Sequence, residues 1–225
     1  MGTLLNRLRS GRDERLARLH GVLPFLAMGC ARCWVALTIA APVAGPYDSA
    51  GILDYHNIFD YTFCLTALIV ALAATHLVPL NGTSRLRTLS FAALMGASVC
   101  FVAVPAIGPE VGLSLSLVGS ALGGFGFALF LLLMAEIMCT LSLLRIFLFS
   151  TLAQLCAAGL TFFLSGLDET RLPFAVLLLP IVACTAIARA YRNVSDQDKV
   201  ARPCPRFTYP WKIFALMALY SFAYG

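Results

Sequence analysis

The chain has 225 residues, 60% of them hydrophobic and only 12% charged, with a net charge of +5. Soluble domains carry about 25% charged residues, so charge this sparse cannot coat a water-exposed surface, and a soluble globular enzyme is excluded. A mean hydropathy of +0.87 excludes disorder, and eight cysteines in so long a chain are too dilute for a secreted disulfide scaffold, which leaves an all-α, multi-pass integral membrane protein.

A basic segment, 1–20, comes first, with Arg7, Arg9, Arg12, Arg15 and Arg18. Leu4, Leu5, Leu8, Leu16 and Leu19 among them fit either a short amphipathic helix on the membrane surface or a solvated tail that sets topology. It is not a signal peptide, because the basic stretch is long and the apolar run that follows lacks a small-residue cleavage pattern. Six runs poor in charge come next, at 21–44, 58–80, 89–107, 111–138, 143–166 and 173–191. Each is long enough to cross a hydrocarbon core of roughly 30 Å at about 1.5 Å per residue. Solid apolar stretches such as Leu129 to Met134 are helical, since membrane strands alternate in polarity.

The fourth and fifth runs are the hardest to divide. From 111 to 166 only Glu136 and Arg145 bring charge, and the stretch is far too long for one crossing. A tight turn is placed near 139–142, where Thr140 and Ser142 tolerate turn geometry. After the sixth run, 192–209 reads as a cytoplasmic loop. A seventh run, 210–225, contains Lys212 and falls short of a comfortable span. A terminal carboxylate inside the bilayer is costly, so the expectation is that 210–225 begins a seventh helix and that the chain is the front part of a longer protein.

Charge sets the orientation. Fourteen of the sixteen lysines and arginines fall on one side of an alternating six-helix topology. They lie before the first span, between spans two and three (Arg85, Arg87), at the four–five turn (Arg145) and after span six. The opposite side carries Asp48, Asp54, Asp60, Glu110, Asp168 and Glu169 with a single Arg171. The positive-inside rule therefore puts the N-terminus in the cytoplasm. The net charge is accounted for by this bias and by anionic lipid, without a nucleic-acid partner for this part of the chain.

Arg32 stands out among candidate functional residues. Eleven residues past Gly21, it lies about 16 Å into the first span, near the midplane. A charge there costs roughly 2.5–3.5 kcal/mol on insertion scales and faces a cavity or a partner. It is a candidate ligand-binding residue for a small anionic or polar molecule; the alternative is a structural charge satisfied by helix carbonyls or by Asp60. Ser120 is a second ligand-binding candidate. Glu136 and Arg145, on either side of the four–five turn, form a candidate structural ion pair. Asp60 and His76, near opposite ends of span two, read as polar caps.

Span four repeats small residues every fourth position, at Gly112, Ser116, Ser120, Gly124 and Ala128, with Gly119 and Gly123 as a second pair. Such stripes let helix backbones approach closely, so helix packing is expected of them. Cysteines within spans act as small hydrophobes, and Cys30-Ala-Arg-Cys33 has no thioredoxin-like context to make it a redox pair. No Walker loop, zinc-protease, nucleophile-elbow or dinucleotide motif is present. His20, His56 and His76 are scattered. No enzyme, cofactor or metal site is expected.

Six spans with the N-terminus inside, a charged cytoplasmic loop and a seventh run resemble the first half of a major facilitator superfamily protein. That layout implies a second six-helix half as partner and a site near the midplane between halves. The loop Pro79-Leu80-Asn81-Gly82-Thr83-Ser84-Arg85-Leu86-Arg87 keeps two arginines but lacks the acidic residue and second glycine element that transporters of the family carry there. Gly123-Gly124-Phe125-Gly126-Phe127 through Glu136, and Tyr209-Pro210-Trp211-Lys212 with the apolar run after it, resemble a bacterial group in which a transporter-like region is fused to a C-terminal LuxR-type helix-turn-helix domain. The resemblance implies a bacterial inner-membrane sensory region of a transcriptional regulator, with DNA bound only through a domain outside this chain. The other reading it leaves open is the N-terminal half of a transporter for a small polar or anionic solute.

Overall fold

Proline lacks an amide hydrogen and is tolerated in the first turn of a helix, where that hydrogen has no partner. Three helices of the computed structural model start this way, at Pro24, Pro109 and Pro173. The structure describes residues 22–40, 54–107, 109–139, 141, 143–168 and 170–194. The basic segment 1–20, the loop residues from 195 and the run 210–225 lie outside the described residues, as do 41–44 at the end of the first apolar run.

The described residues are helical, with no strand among them. Helix α1 (Leu23–Val35) continues as a π-helical turn over Ala36–Ala40. Helix α2 (Tyr55–Leu72) is followed by the single turn Ala74–Leu77. Helix α3 (Ser84–Ala103) ends in a 3₁₀ turn, Val104–Ala106. Helices α4 (Pro109–Met138), α5 (Leu143–Ser165) and α6 (Leu172–Arg192) complete the bundle. The helices α2 to α6 are long and apolar enough to cross a membrane, while the apolar stretch of α1, Leu23–Ile39, is shorter.

Helix α4 is the inner helix. In its most apolar stretch 56% of the residues are buried, against 11% in α5. It lies between α2 and α3, α1 lies between α5 and α6, and α3 bridges to α6. Close approach explains the burial of α4. A methyl group at Gly119 would sit 3.0 Å from Cys100 Cβ of α3, and one at Gly126 would sit 2.9 Å from the Leu94 nitrogen. A methyl at Gly124 would fall onto the Thr62 hydroxyl and the Phe59 carbonyl oxygen of α2. The small residues thus serve two neighbours at once, α2 on one face and α3 on the other. Ser90 Oγ exploits the same proximity by donating to the Gly126 carbonyl at 3.0 Å.

Trp34 closes the middle of the bundle. It is 1% exposed, its Nε1 donates to Ser98 Oγ of α3 at 2.8 Å, and its Cη2 lies 3.1 Å from where a Cβ on Gly123 of α4 would be. One side chain therefore ties α1 to α3 and α4. An indole N–H buried in hydrocarbon without an acceptor is costly, and Ser98 supplies one. Ser98 in turn donates to the Leu94 carbonyl at 2.8 Å. Outside this core, α2 and α5 present wide apolar surfaces, with Leu65, Leu72, Phe147, Leu155 and Phe163 all exposed. In water such a surface would be an aggregation hazard; against acyl chains it costs nothing.

Candidate functional site

Arg32 lies nine residues from the first residue of α1, about 14 Å along its axis. Its side chain is exposed and borders an open cleft of about 750 Å³ between α1, α4 and α5. Gln154 and Thr161 of α5 line the same cleft, and Phe127, Leu131 and Phe162 are among its apolar residues. Arg32 is the one charged residue among the described residues lining the cleft. No carboxylate among the described residues pairs with it, Asp60 included, and Asp60 is exposed on α2.

The chemistry of this lining is specific. A guanidinium offers five N–H donors in a planar fork that matches a carboxylate or phosphate. Gln154 adds an amide that donates and accepts. Among the described residues the lining contains no acidic side chain, so Arg32 sets its charge preference toward anions. The apolar residues fit a ligand with a hydrocarbon body and one anionic end.

Ser120, the second ligand-binding candidate, lies elsewhere. It is fully buried on α4, three and four residues before Gly123 and Gly124, and does not line the cleft. Its hydroxyl has no hydrogen-bond partner among the described residues. The helical period turns it toward the neighbours that the glycines face, away from Arg32. Gly112, Ser116, Gly119, Gly123 and Gly124 are all buried on α4 as well.

Glu136 and Arg145 are not brought together. No ion pair joins them among the described residues, and Arg145 is exposed on α5. Glu136, 8% exposed, instead receives the backbone N–H of Asn81 at 2.9 Å and the Asn81 side-chain amide at 3.3 Å, both on Oε2. The same amide donates to the Leu133 carbonyl at 2.8 Å. Arg87 Nη1 donates to the Asn81 carbonyl at 2.6 Å, and its guanidinium lies 5.8 Å from the Tyr191 ring centre. This is a buried polar knot that seats the α2–α3 loop on the end of α4. The physical reason is competition: an exposed arginine is better solvated by water than by a buried carboxylate, whereas a loop amide within reach of Glu136 has no water to turn to.

Asn81, Gln154 and Thr161 were not visible as site residues in the sequence. Asn81 stands in Asn81-Gly82-Thr83, which matches a glycosylation acceptor and so draws attention to another role, and one glutamine in an apolar run carries no spacing signal. Comparison with models of known protein families, with curated proteins and with solved structures finds no match for the chain.

Proposed function

We propose that this chain is the ligand-binding part of a membrane-embedded sensor, and that the cleft between α1, α4 and α5 takes a small amphipathic anion held by Arg32. The observation that carries the reading is the exposure of an arginine that no carboxylate among the described residues pairs with, in the apolar stretch Leu23–Ile39, beside a cleft that Gln154 also lines. A charge at that depth is expensive unless a ligand or water-filled cleft receives it. Occupancy would favour one arrangement of α5 against α1 and α4, and a bound anion can shift that equilibrium only as far as its affinities for the two arrangements differ. In the bacterial regulators that the sequence resembles, such a shift would be read by a DNA-binding domain outside this chain. Transport is the second reading, favoured by the openness of the cleft. Sensing is placed first because Asn81 and Gly82 occupy the loop where the transporter pattern carries its acidic residue.

The test is binding of octanoate and octyl phosphate to the purified protein in nanodiscs, with octanol as the neutral comparison. The two anions should bind and octanol should not, and Arg32→Gln should weaken the anions at least tenfold while leaving the thermal midpoint unchanged. Equal binding of octanol, or an unaffected Arg32→Gln variant, overturns the reading. Counterflow of labelled octanoate across proteoliposomes would move the assignment from sensing to transport.

A further inference from the structure

A second groove, at the other face of α1, is built from different chemistry. It has a volume of about 720 Å³ and runs between the first turns of α1 and the last turns of α6. Leu23, Leu26, Val182 and Ala186 form its apolar floor, and Arg189 and Arg192 stand at its mouth. From Val182 to Arg192 is about 15 Å of helix, half the thickness of a hydrocarbon core. The groove thus runs from the headgroup level, where α6 ends, down roughly the depth of one leaflet.

The two guanidiniums are one turn apart on one face of α6 and both are exposed. No carboxylate among the described residues pairs with either. The last carbonyls of α6 find other donors, with those of Arg189, Ala190 and Tyr191 accepting from Asn193 Nδ2, the Asn193 N–H and the Val194 N–H. Two cations above an open apolar channel are complementary to a molecule with an anionic head and a long hydrocarbon tail, oriented along the membrane normal. Leu26, at 39% exposure, leaves the channel uncovered by any described helix.

We propose that this groove binds one anionic diacyl phospholipid, with its phosphate between Arg189 and Arg192 and one acyl chain along Leu26, Val182 and Ala186. The site is separate from the Arg32 cleft, and its occupant is the bilayer's own lipid. A bound lipid would fasten α6 to α1, the pair on which the α5 side of the cleft rests.

The experiment is native mass spectrometry of the purified chain released from micelles containing dioleoyl phosphatidylglycerol or dioleoyl phosphatidylcholine. The wild-type protein should retain a single phosphatidylglycerol and no phosphatidylcholine. Arg189→Gln and Arg192→Gln should each lower the retained fraction about fivefold, the weight of one arginine near a lipid surface. Arg85→Gln removes a cation from the same end of the bundle, as the contact of Arg87 with Tyr191 places it, but outside the groove, and should leave retention unchanged. Equal retention of the two lipids, an equal loss in Arg85→Gln, or displacement of phosphatidylglycerol by millimolar inorganic phosphate overturns the proposal. The comparison of the two lipids needs no variant, so a misfolded substitution does not blunt the test.

Discussion

Gly124→Ala adds one methyl group where α4 passes α2. Its Cβ would meet the Thr62 hydroxyl and the Phe59 carbonyl oxygen, with the Phe63 nitrogen at 3.1 Å. None of these gives way cheaply. Two are helix backbone, and the Thr62 hydroxyl already donates to the Ile58 and Phe59 carbonyls at 2.8 and 3.0 Å. The helices must therefore part by on the order of 1 Å, and a gap of that size forfeits up to about half of each dispersion contact it opens. The contacts at stake include the rings of Phe59, Phe63 and Phe127, whose centres lie 5.9, 6.1 and 6.4 Å apart. The expected cost is about 2–3 kcal/mol, the upper part of the overpacking range. In the same protein Gly159→Ala meets nothing within 4 Å, and replacing a helical glycine there should be neutral or gain up to about 1 kcal/mol. Thermal unfolding in a single detergent, followed by size-exclusion chromatography, compares the two. Gly124→Ala should lower the midpoint by about 4–12 °C and Gly159→Ala should not lower it. Equal midpoints would show that α4 does not pack on α2 through Gly124.

Glu136→Ala strands the buried Asn81 N–H and should cost about 1–3 kcal/mol, whereas Glu136→Gln keeps an acceptor there and should cost less than about 1 kcal/mol. Arg145→Gln should stay within about 0.5 kcal/mol of the parent, as exposed substitutions do; a loss matching that of Glu136→Ala would restore the ion pair across the turn. Trp34→Phe should destabilise by about 2 kcal/mol through the lost bond to Ser98 and the lost ring volume. Ser98→Ala should cost about 1 kcal/mol, and a double variant that costs as much as both singles together would show that the Trp34–Ser98 bond carries nothing.

Helix positions were largely legible in the sequence, because each of the six apolar runs carries a helix in the structure. Crossing a bilayer demands a continuous run of apolar residues with its backbone bonds closed inside the segment, and both demands are local. The irregular pieces were not legible. Neither the π-helical turn at Ala36–Ala40 nor the separate turn Ala74–Leu77 interrupts hydropathy, so composition is blind to them. Arg32 announced itself, since one charge in an apolar run is conspicuous wherever its helix points. Its companions did not: Gln154 and Thr161 are 122 and 129 positions further along the chain, and only the seating of α5 against α1 makes them neighbours.

Glu136 marks the same boundary from the other side. Its nearest charged neighbour along the chain is Arg145, and proximity in sequence favoured that pair. The fold bonded it instead to Asn81, 55 positions away, because a buried carboxylate takes the donor that has no water to turn to. The small residues of span four were legible as a packing stripe, but which of them faced α2 and which α3 was not.

Helical class, and the presence of helices apolar enough to cross a membrane, were legible in the sequence alone, since they follow from how many apolar residues stand side by side. The cleft at Arg32, the burial of Ser120 on the inner helix α4, the knot around Asn81 and the groove at Arg189 were decided only by the tertiary structure. Each is a meeting of residues distant in the chain, governed by which faces of the helices are pressed together.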